Sequence, residues 1–273
     1  MNTAPAKLPA LRGIHWFVEA WRAALKKPLL WLPAALVVTA AHTALLMEFH
    51  RELVEIDGGP DAFMALVFQP VPHLSATLLL AALFSGAARR LFLPAFSGTP
   101  PLRRLIHALA FSALLAVALI GALFVWLLVY GQMSFVPLLL LEMENPENPG
   151  ALFAIITIAC TFGLAASGFC LTFLALLAQA LAACGTPFFT ALSRAARAAL
   201  QPASLAHAAA LAALSIAAIA LHDALTPNIP NTLLLALLAA AIYAFALDAI
   251  ITPWLMVRDM FGNMPQNTAA EQS

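Results

Sequence analysis

A single acidic side chain interrupts one of the longest apolar stretches of the chain. Asp248 lies within Leu233–Met256 (LLLALLAAAIYAFALDAIITPWLM) and is the only formal charge that we place inside a predicted membrane span. A carboxylate in hydrocarbon is costly, so such residues pair, face water or mark a pathway for protons or ions. Burial also favours the neutral form of a carboxyl group. The pattern therefore predicts a candidate polar site inside the membrane.

Three further polar side chains are predicted at a similar depth. His107, His207 and Gln179 can bond Asp248 if their helices are its neighbours. Pro253 has no N–H for the carbonyl of the residue four positions before it, which leaves a polar backbone atom beside Asp248. The alternative is a structural role, in which a protonated or hydrogen-bonded Asp248 only ties its helix to another.

Histidines and acidic loops form two weaker constellations. Paired histidines on facing helices can hold haem or a metal, and four are predicted in the outer half or outer loops: His42, His50, His73 and His222. H-E-x-x-H and C-x-x-C-H spacings are absent, so we expect no cofactor and no metal site. The acidic residues of two outer loops can attract cations or a basic partner, although solvated loops are the simpler interpretation: Glu48, Glu52, Glu55, Asp57, Asp61, Glu142, Glu144 and Glu147.

Composition indicates the kind of elements that must position Asp248. The chain is 63% hydrophobic and 10% charged, whereas a soluble domain carries about 25% charged residues. Its apolar residues form continuous runs rather than the alternating pattern of a β-barrel. We therefore predict an all-α, polytopic helical membrane protein. The net charge is zero and no basic face on the scale of a domain is present, so nucleic-acid binding has little support. The three cysteines are expected to be packing residues.

Six apolar runs are predicted to be transmembrane helices. A helix of about 20 residues crosses a hydrocarbon core of about 30 Å. The spans are placed at about 28–47, 66–87, 105–130, 151–183, 204–222 and 233–256, in a single membrane domain at 11–262. Two basic amphipathic segments, 11–27 and 186–203, are predicted to lie in the cytoplasmic interface. We expect 131–150 to rest on the outer face, and 1–10 and 263–273 to be disordered.

The basic residues support this arrangement. With the N-terminus inside, every Lys and Arg except Arg51 is cytoplasmic, as the positive-inside rule requires. Both termini are then predicted to be cytoplasmic. A cleaved signal peptide is the alternative for the first run, but a long polar lead that contains Glu19 is wrong for one.

The two ends of the chain carry a family resemblance. The opening Arg12-Gly13, Trp16, Glu19-Ala20-Trp21 and Pro28, the six predicted spans and the closing Arg258-Asp259 resemble a family of uncharacterised bacterial six-helix inner-membrane proteins. The resemblance implies a multi-pass protein of the bacterial inner membrane. It implies no substrate and no catalytic residue.

Two functions remain in balance, and a third is weaker. The first is a small transporter or permease-like protein with its path near the sixth span. The second is a non-enzymatic scaffold or accessory subunit of a membrane complex. A membrane enzyme acting on lipid is disfavoured because no Walker loop, G-x-S-x-G elbow or other nucleophile motif is present. Expected partners are the lipid bilayer and a membrane protein or a second copy of the chain.

Overall fold

The structure, a computed structural model, describes residues 5–55, 70–94, 98–142, 149–225 and 231–262. These residues form eight helices and no strand, so the all-α prediction is confirmed for them. The helices are α1 (Ala10–Lys26), α2 (Pro28–Glu55), α3 (Pro70–Phe92), α4 (Pro101–Glu142), α5 (Pro149–Ala183), α6 (Phe188–Ala199), α7 (Pro202–Leu225) and α8 (Asn231–Phe261).

The C-terminal half of α8 forms the centre of the bundle. Its side chains from Ala246 to Val257 are buried almost without interruption, whereas Ala236 and Ala240 nearer its start are exposed. Helices α1, α2, α3, α5 and α7 all pack against α8. Asp248 lies in the buried half and is 1% exposed, so it faces the interior of the bundle.

The prediction of six transmembrane helices is not confirmed. Among the described residues four helices are long and apolar enough to cross a membrane by length and composition: Pro28–Leu45, Pro101–Met133, Ile155–Ala183 and Ala239–Phe261. Helices α6 and α7 provide a fifth candidate if they form one broken span, because they meet at a bend of 73°. The predicted second span, 66–87, begins outside the described residues, and its helix α3 carries Arg89 and Arg90 in its last turn.

Several boundaries differ from the prediction. Helix α4 extends for 42 residues and includes 131–142, which were expected to be a loop on the outer face. Gly131 costs a helix only about 1 kcal/mol relative to alanine, which is too little to end it.

The run at 151–183 is one helix, as predicted. It ends at Ala183. Just beyond it, the positive φ of 87° at Gly185 allows the Gly185 and Thr186 N–H groups to cap the Ala182 and Leu181 carbonyls.

Helix α1 is more than the interfacial helix that its amphipathic pattern predicts. One face, formed by Gly13, Trp16, Ala20 and Ala24, is buried against α7 and α8. A second face exposes large apolar side chains suited to lipid: Leu11, Ile14, Val18 and Leu25. Helix α1 is therefore part of the protein core, and it carries its backbone to within reach of the candidate site.

Candidate functional site

Asp248 is held by two side chains from within the bundle. His207 of α7 places its Nε2 atom 3.0 Å from the Asp248 Oδ2 atom. Thr252, one turn further along α8, donates its hydroxyl to Oδ1 at 2.6 Å. The side chains of His207 and Asp248 are 1% and 0% exposed. Both carboxylate oxygens are thus satisfied by protein groups, as a buried polar group requires.

The other ring nitrogen of His207 reaches the backbone of α1. Its Nδ1 atom lies 2.9 Å from the Gly13 carbonyl oxygen. Glycine permits this contact, because a Cβ atom at position 13 would stand 1.9 Å from the Ala203 carbonyl oxygen. His207 therefore joins three helices: its own, α1 through Gly13 and α8 through Asp248.

The contact with Gly13 fixes one hydrogen on the His207 ring, and the contact with Asp248 leaves a second proton shared between the two side chains. A carbonyl oxygen can only accept a hydrogen bond, so Nδ1 must carry a hydrogen and donate it to Gly13. The contact between Nε2 and Oδ2 then needs one proton, which lies either on the ring or on the carboxyl group. The first arrangement is an imidazolium–carboxylate pair and the second is a neutral pair. The site can pass from one to the other by moving one proton across 3.0 Å.

Aromatic rings surround this pair. Phe173 meets the His207 ring edge to face with centroids 4.8 Å apart, and Trp16 does so at 6.2 Å. These rings limit the access of water to His207 from α5 and α1. The Asp248–His207 contact is stronger in such surroundings than it would be in water.

A cavity of about 230 Å³ opens beside Asp248. At its polar positions are His42, Thr77, Thr172 and Asp248. The His42 Nδ1 atom lies 2.8 Å from the Val38 carbonyl oxygen, and its Nε2 atom lies 3.0 Å from the Thr77 hydroxyl. The rest of the lining is apolar or aromatic: Phe169, Phe173, Leu211, Ile242, Phe245, Ala246 and Ala249. An apolar space with a few convergent polar groups is typical of a small-molecule site.

The structure brings only one of the three proposed partners to Asp248. Gln179 is buried, but its Nε2 atom donates to the Leu78 carbonyl oxygen at 3.0 Å. His107 packs against the rings of Phe111 and Phe188, which are stacked on each other 4.5 Å apart. Both residues lie on helix faces that point to neighbours other than Asp248.

Most of the histidines and acidic residues of the two weaker candidate groups have side chains that the structure does not describe. This is so for His50, His73, His222 and all the acidic residues assigned to the two outer loops. Among the described residues, no group of three or more His, Cys, Asp or Glu side chains could hold a metal ion. Cys160 and Cys184 are buried, and all three cysteines are free.

A second polar cluster, not predicted as a unit, lies near the end of α8. Arg12 pairs with Glu19 at 2.6 Å and with Asp259 at 2.6 Å. Arg258 pairs with Glu19 at 2.9 Å and with Asp259 at 2.7 Å. These four residues form a closed ring of alternating charge, here called the charged ring, to which the Trp16 indole adds a hydrogen bond with Asp259. In the sequence, this ring is indicated only by the presence of one arginine and one acidic residue near each end of the chain.

The charged ring predicts a loss of stability in acid. Burial raises the pKa of Glu19, but the hydrogen bonds and charges of Arg258 and Arg12 together lower it by more. The net effect is a pKa below the ordinary value of 4.5. A lowered pKa contributes stability above the unfolded value and loses it as the pH falls through the folded one. We expect the thermal midpoint in detergent to fall below about pH 4.5, and to fall less in Glu19→Gln. An equally steep fall in that variant would contradict this role.

Comparison with known proteins gives no identification: no family model, no curated protein and no solved structure matches the chain. The family resemblance of the two chain ends therefore stays an expectation. The function has to be argued from the pair, the cavity and the charged ring.

Proposed function

We propose that this chain is a small permease-like membrane protein that couples movement of a proton to movement of a small, mainly apolar molecule. The observation that carries the proposal is the cavity that borders Asp248. Asp248 lines this cavity, and its carboxyl group shares one exchangeable proton with His207. Intramembrane carboxyl and histidine pairs are the usual means by which transporters relay protons.

The coupling follows from the electrostatics of the pair. Binding of a polar or cationic group beside Asp248 favours the carboxylate and shifts the proton toward His207 or away from the site. Occupation by an apolar group favours the neutral pair. The state of the cavity and the position of the proton are therefore linked, and linkage between two ligands is reciprocal.

We further propose a bacterial inner-membrane location with cytoplasmic termini. The charged ring lies at the C-terminal end of α8, and Ser85 of α3 lines a small cavity with Pro253 and Trp254 of the same helix. Arg104 at the start of α4 donates to Ser85 of α3, and Thr99 bonds the last residues of α5. A concentration of basic residues at one end supports a cytoplasmic side under the positive-inside rule.

Flux through liposomes tests the transport proposal. The protein is reconstituted with a pH-sensitive dye inside, and the probes are small aromatic amines, alcohols and carboxylic acids. We expect at least one class to move protons faster than in protein-free liposomes, and Ala246→Leu, which fills the cavity, to slow that movement. Ala217→Leu, on the outward groove between α5 and α7, is the control and should have no effect. Proton movement in none of the classes would contradict the proposal.

A scaffold or accessory subunit without enzymatic activity is the second candidate. It is favoured by the observation that both Asp248 oxygens and both His207 nitrogens already have protein partners. The charged ring likewise ties α1 to α8 without involving a ligand. In that case the pair only holds three helices together. The two candidates differ in what the loss of the exchangeable proton should do.

A further inference from the structure

Three phenylalanine side chains line the cavity beside Asp248. Phe169 and Phe173 come from α5, and Phe245 comes from α8. The rings of Phe169 and Phe245 stack with their centroids 5.8 Å apart. The cavity volume of about 230 Å³ exceeds the roughly 150 Å³ of a protein cavity that holds one benzene molecule. The cavity can therefore hold one aromatic ring that carries a small branched group.

The polar side chains of the cavity use their hydrogens within the protein. Thr172 donates its hydroxyl to the Gly168 carbonyl oxygen at 2.8 Å. The Nδ1 atom of His42 must carry a hydrogen, because its partner is the Val38 carbonyl oxygen. In the neutral ring the Nε2 atom then accepts the Thr77 hydroxyl at 3.0 Å. These groups leave lone pairs rather than hydrogens for a ligand, which disfavours a carboxylate.

The charge beside the cavity depends on one proton. Among the described residues no Lys or Arg lines the cavity, and its ionisable side chains are His42 and Asp248. The Asp248 side chain is 0% exposed and both of its oxygens have partners, so it acts on a ligand through space. Apolar surroundings strengthen such an attraction. The shared proton neutralises the Asp248–His207 pair, and one negative charge remains when that proton leaves.

We propose that this cavity binds a small monovalent organic cation with an apolar body, in exchange for the proton of the Asp248–His207 pair. One positive charge enters as one leaves, so the net charge at the cavity does not change. The faces of phenylalanine rings attract cations, and aromatic cavities are known to bind quaternary ammonium groups in this way. The exchange rests on the function proposed above, whereas binding of the cation does not require transport.

Two probes of the same shape isolate the effect of charge. Benzyltrimethylammonium carries a fixed positive charge and no exchangeable hydrogen, and neopentylbenzene is its neutral carbon isostere. Each is added to the protein in mild detergent, where the thermal midpoint reports binding and a dye in weak buffer reports released protons. Phe245→Leu removes an aromatic face from the cavity and keeps an apolar side chain. Phe162→Leu makes the same change on the outward groove between α5 and α7 and is the matched control.

We expect benzyltrimethylammonium to raise the thermal midpoint more than neopentylbenzene does, and to release about one proton for each cation bound. Neopentylbenzene should release none, and the cation should release none from Asp248→Asn. Phe245→Leu should weaken the apparent affinity for the cation about threefold to tenfold, as loss of one cation–π contact does. Phe162→Leu should leave that affinity unchanged.

Equal midpoint shifts for the two probes would overturn the proposal, and so would a cation that binds without releasing a proton. Equal losses of cation affinity in Phe245→Leu and Phe162→Leu would contradict the role of the aromatic rings. The comparison of the two probes uses the unmodified protein, so it decides the question even if Phe245→Leu does not fold.

The outcomes also separate the cation site from the transport function. A cation that binds and releases a proton, in a protein that moves no protons across liposomes, would support the cation site and overturn the permease. Proton-linked flux of alcohols or carboxylic acids alone, without binding of the cation, would overturn the cation site and leave the permease standing.

Discussion

Replacing Asp248 by Asn should abolish proton-linked flux while leaving the bundle folded. Asn has the same shape, can accept the Thr252 hydroxyl on its oxygen and can donate its amide to the Nε2 atom of His207. The contacts of 2.6 Å and 3.0 Å therefore keep partners. The variant has lost only the group that takes up and releases a proton. We expect flux at the level of protein-free liposomes, with a stability change of about 1–3 kcal/mol.

The same variant separates the two candidate functions. A scaffold that uses Asp248 only as a tie predicts near-normal folding and near-normal assembly with its partners, and no flux in either protein. Thr252→Val is the control, because it removes the hydroxyl from Asp248 but leaves the shared proton with His207. It should retain most of the flux. Full proton-linked flux in Asp248→Asn would show that the pair is not the proton site.

Replacing Gly13 by Ala should cause the largest loss of stability of any single methyl group in the described helices. The new Cβ atom would stand 1.9 Å from the Ala203 carbonyl oxygen and 2.9 Å from the His207 backbone nitrogen. Both are backbone atoms of α7, so relief requires α1 to move away as a unit. That movement breaks the bond between Gly13 and His207. We expect a loss of about 3 kcal/mol or more, beyond ordinary overpacking.

Gly168→Ala is the matched control for this effect. Gly168 is also inside a helix, α5, but a Cβ atom there would meet no atom within 4 Å. Alanine is the better helix former by about 1 kcal/mol, so this variant should be neutral or slightly more stable. Thermal or denaturant unfolding in detergent compares the two. Similar midpoints for both variants would contradict the close packing of α1 on α7.

The sequence indicated the site more completely than it indicated the number of spans. A carboxyl group inside an apolar run is visible to hydropathy, and so are its depth and that of His207. Depth does not specify direction around a helix axis, and for this reason Gln179 and His107 were placed near Asp248 but bond or pack elsewhere. The direction depends on how the helices pack, which the periodicity of one apolar run does not encode.

The burial of α1 was missed for a related reason. Its buried face consists mostly of Gly13, Ala20 and Ala24, small residues whose hydropathy contrasts little with their surroundings. Hydropathy therefore emphasised its charged and large apolar faces, which are the features of an interfacial helix. Small residues at close helix contacts are a packing signal, and they are recognised only when a partner helix is known. The charged ring was missed because its members lie at opposite ends of the sequence.

The hydrogen positions on His207 test the shared-proton pair most directly. Nitrogen NMR of the protein with labelled histidine, compared with His207→Gln to assign the signals, reports which ring nitrogen carries a hydrogen. We predict a protonated Nδ1 wherever the protein is folded, and in Asp248→Asn an Nε2 without a hydrogen at neutral pH. A ring with hydrogen on Nε2 and none on Nδ1 would contradict the pair, because the Gly13 carbonyl would then have no donor in His207.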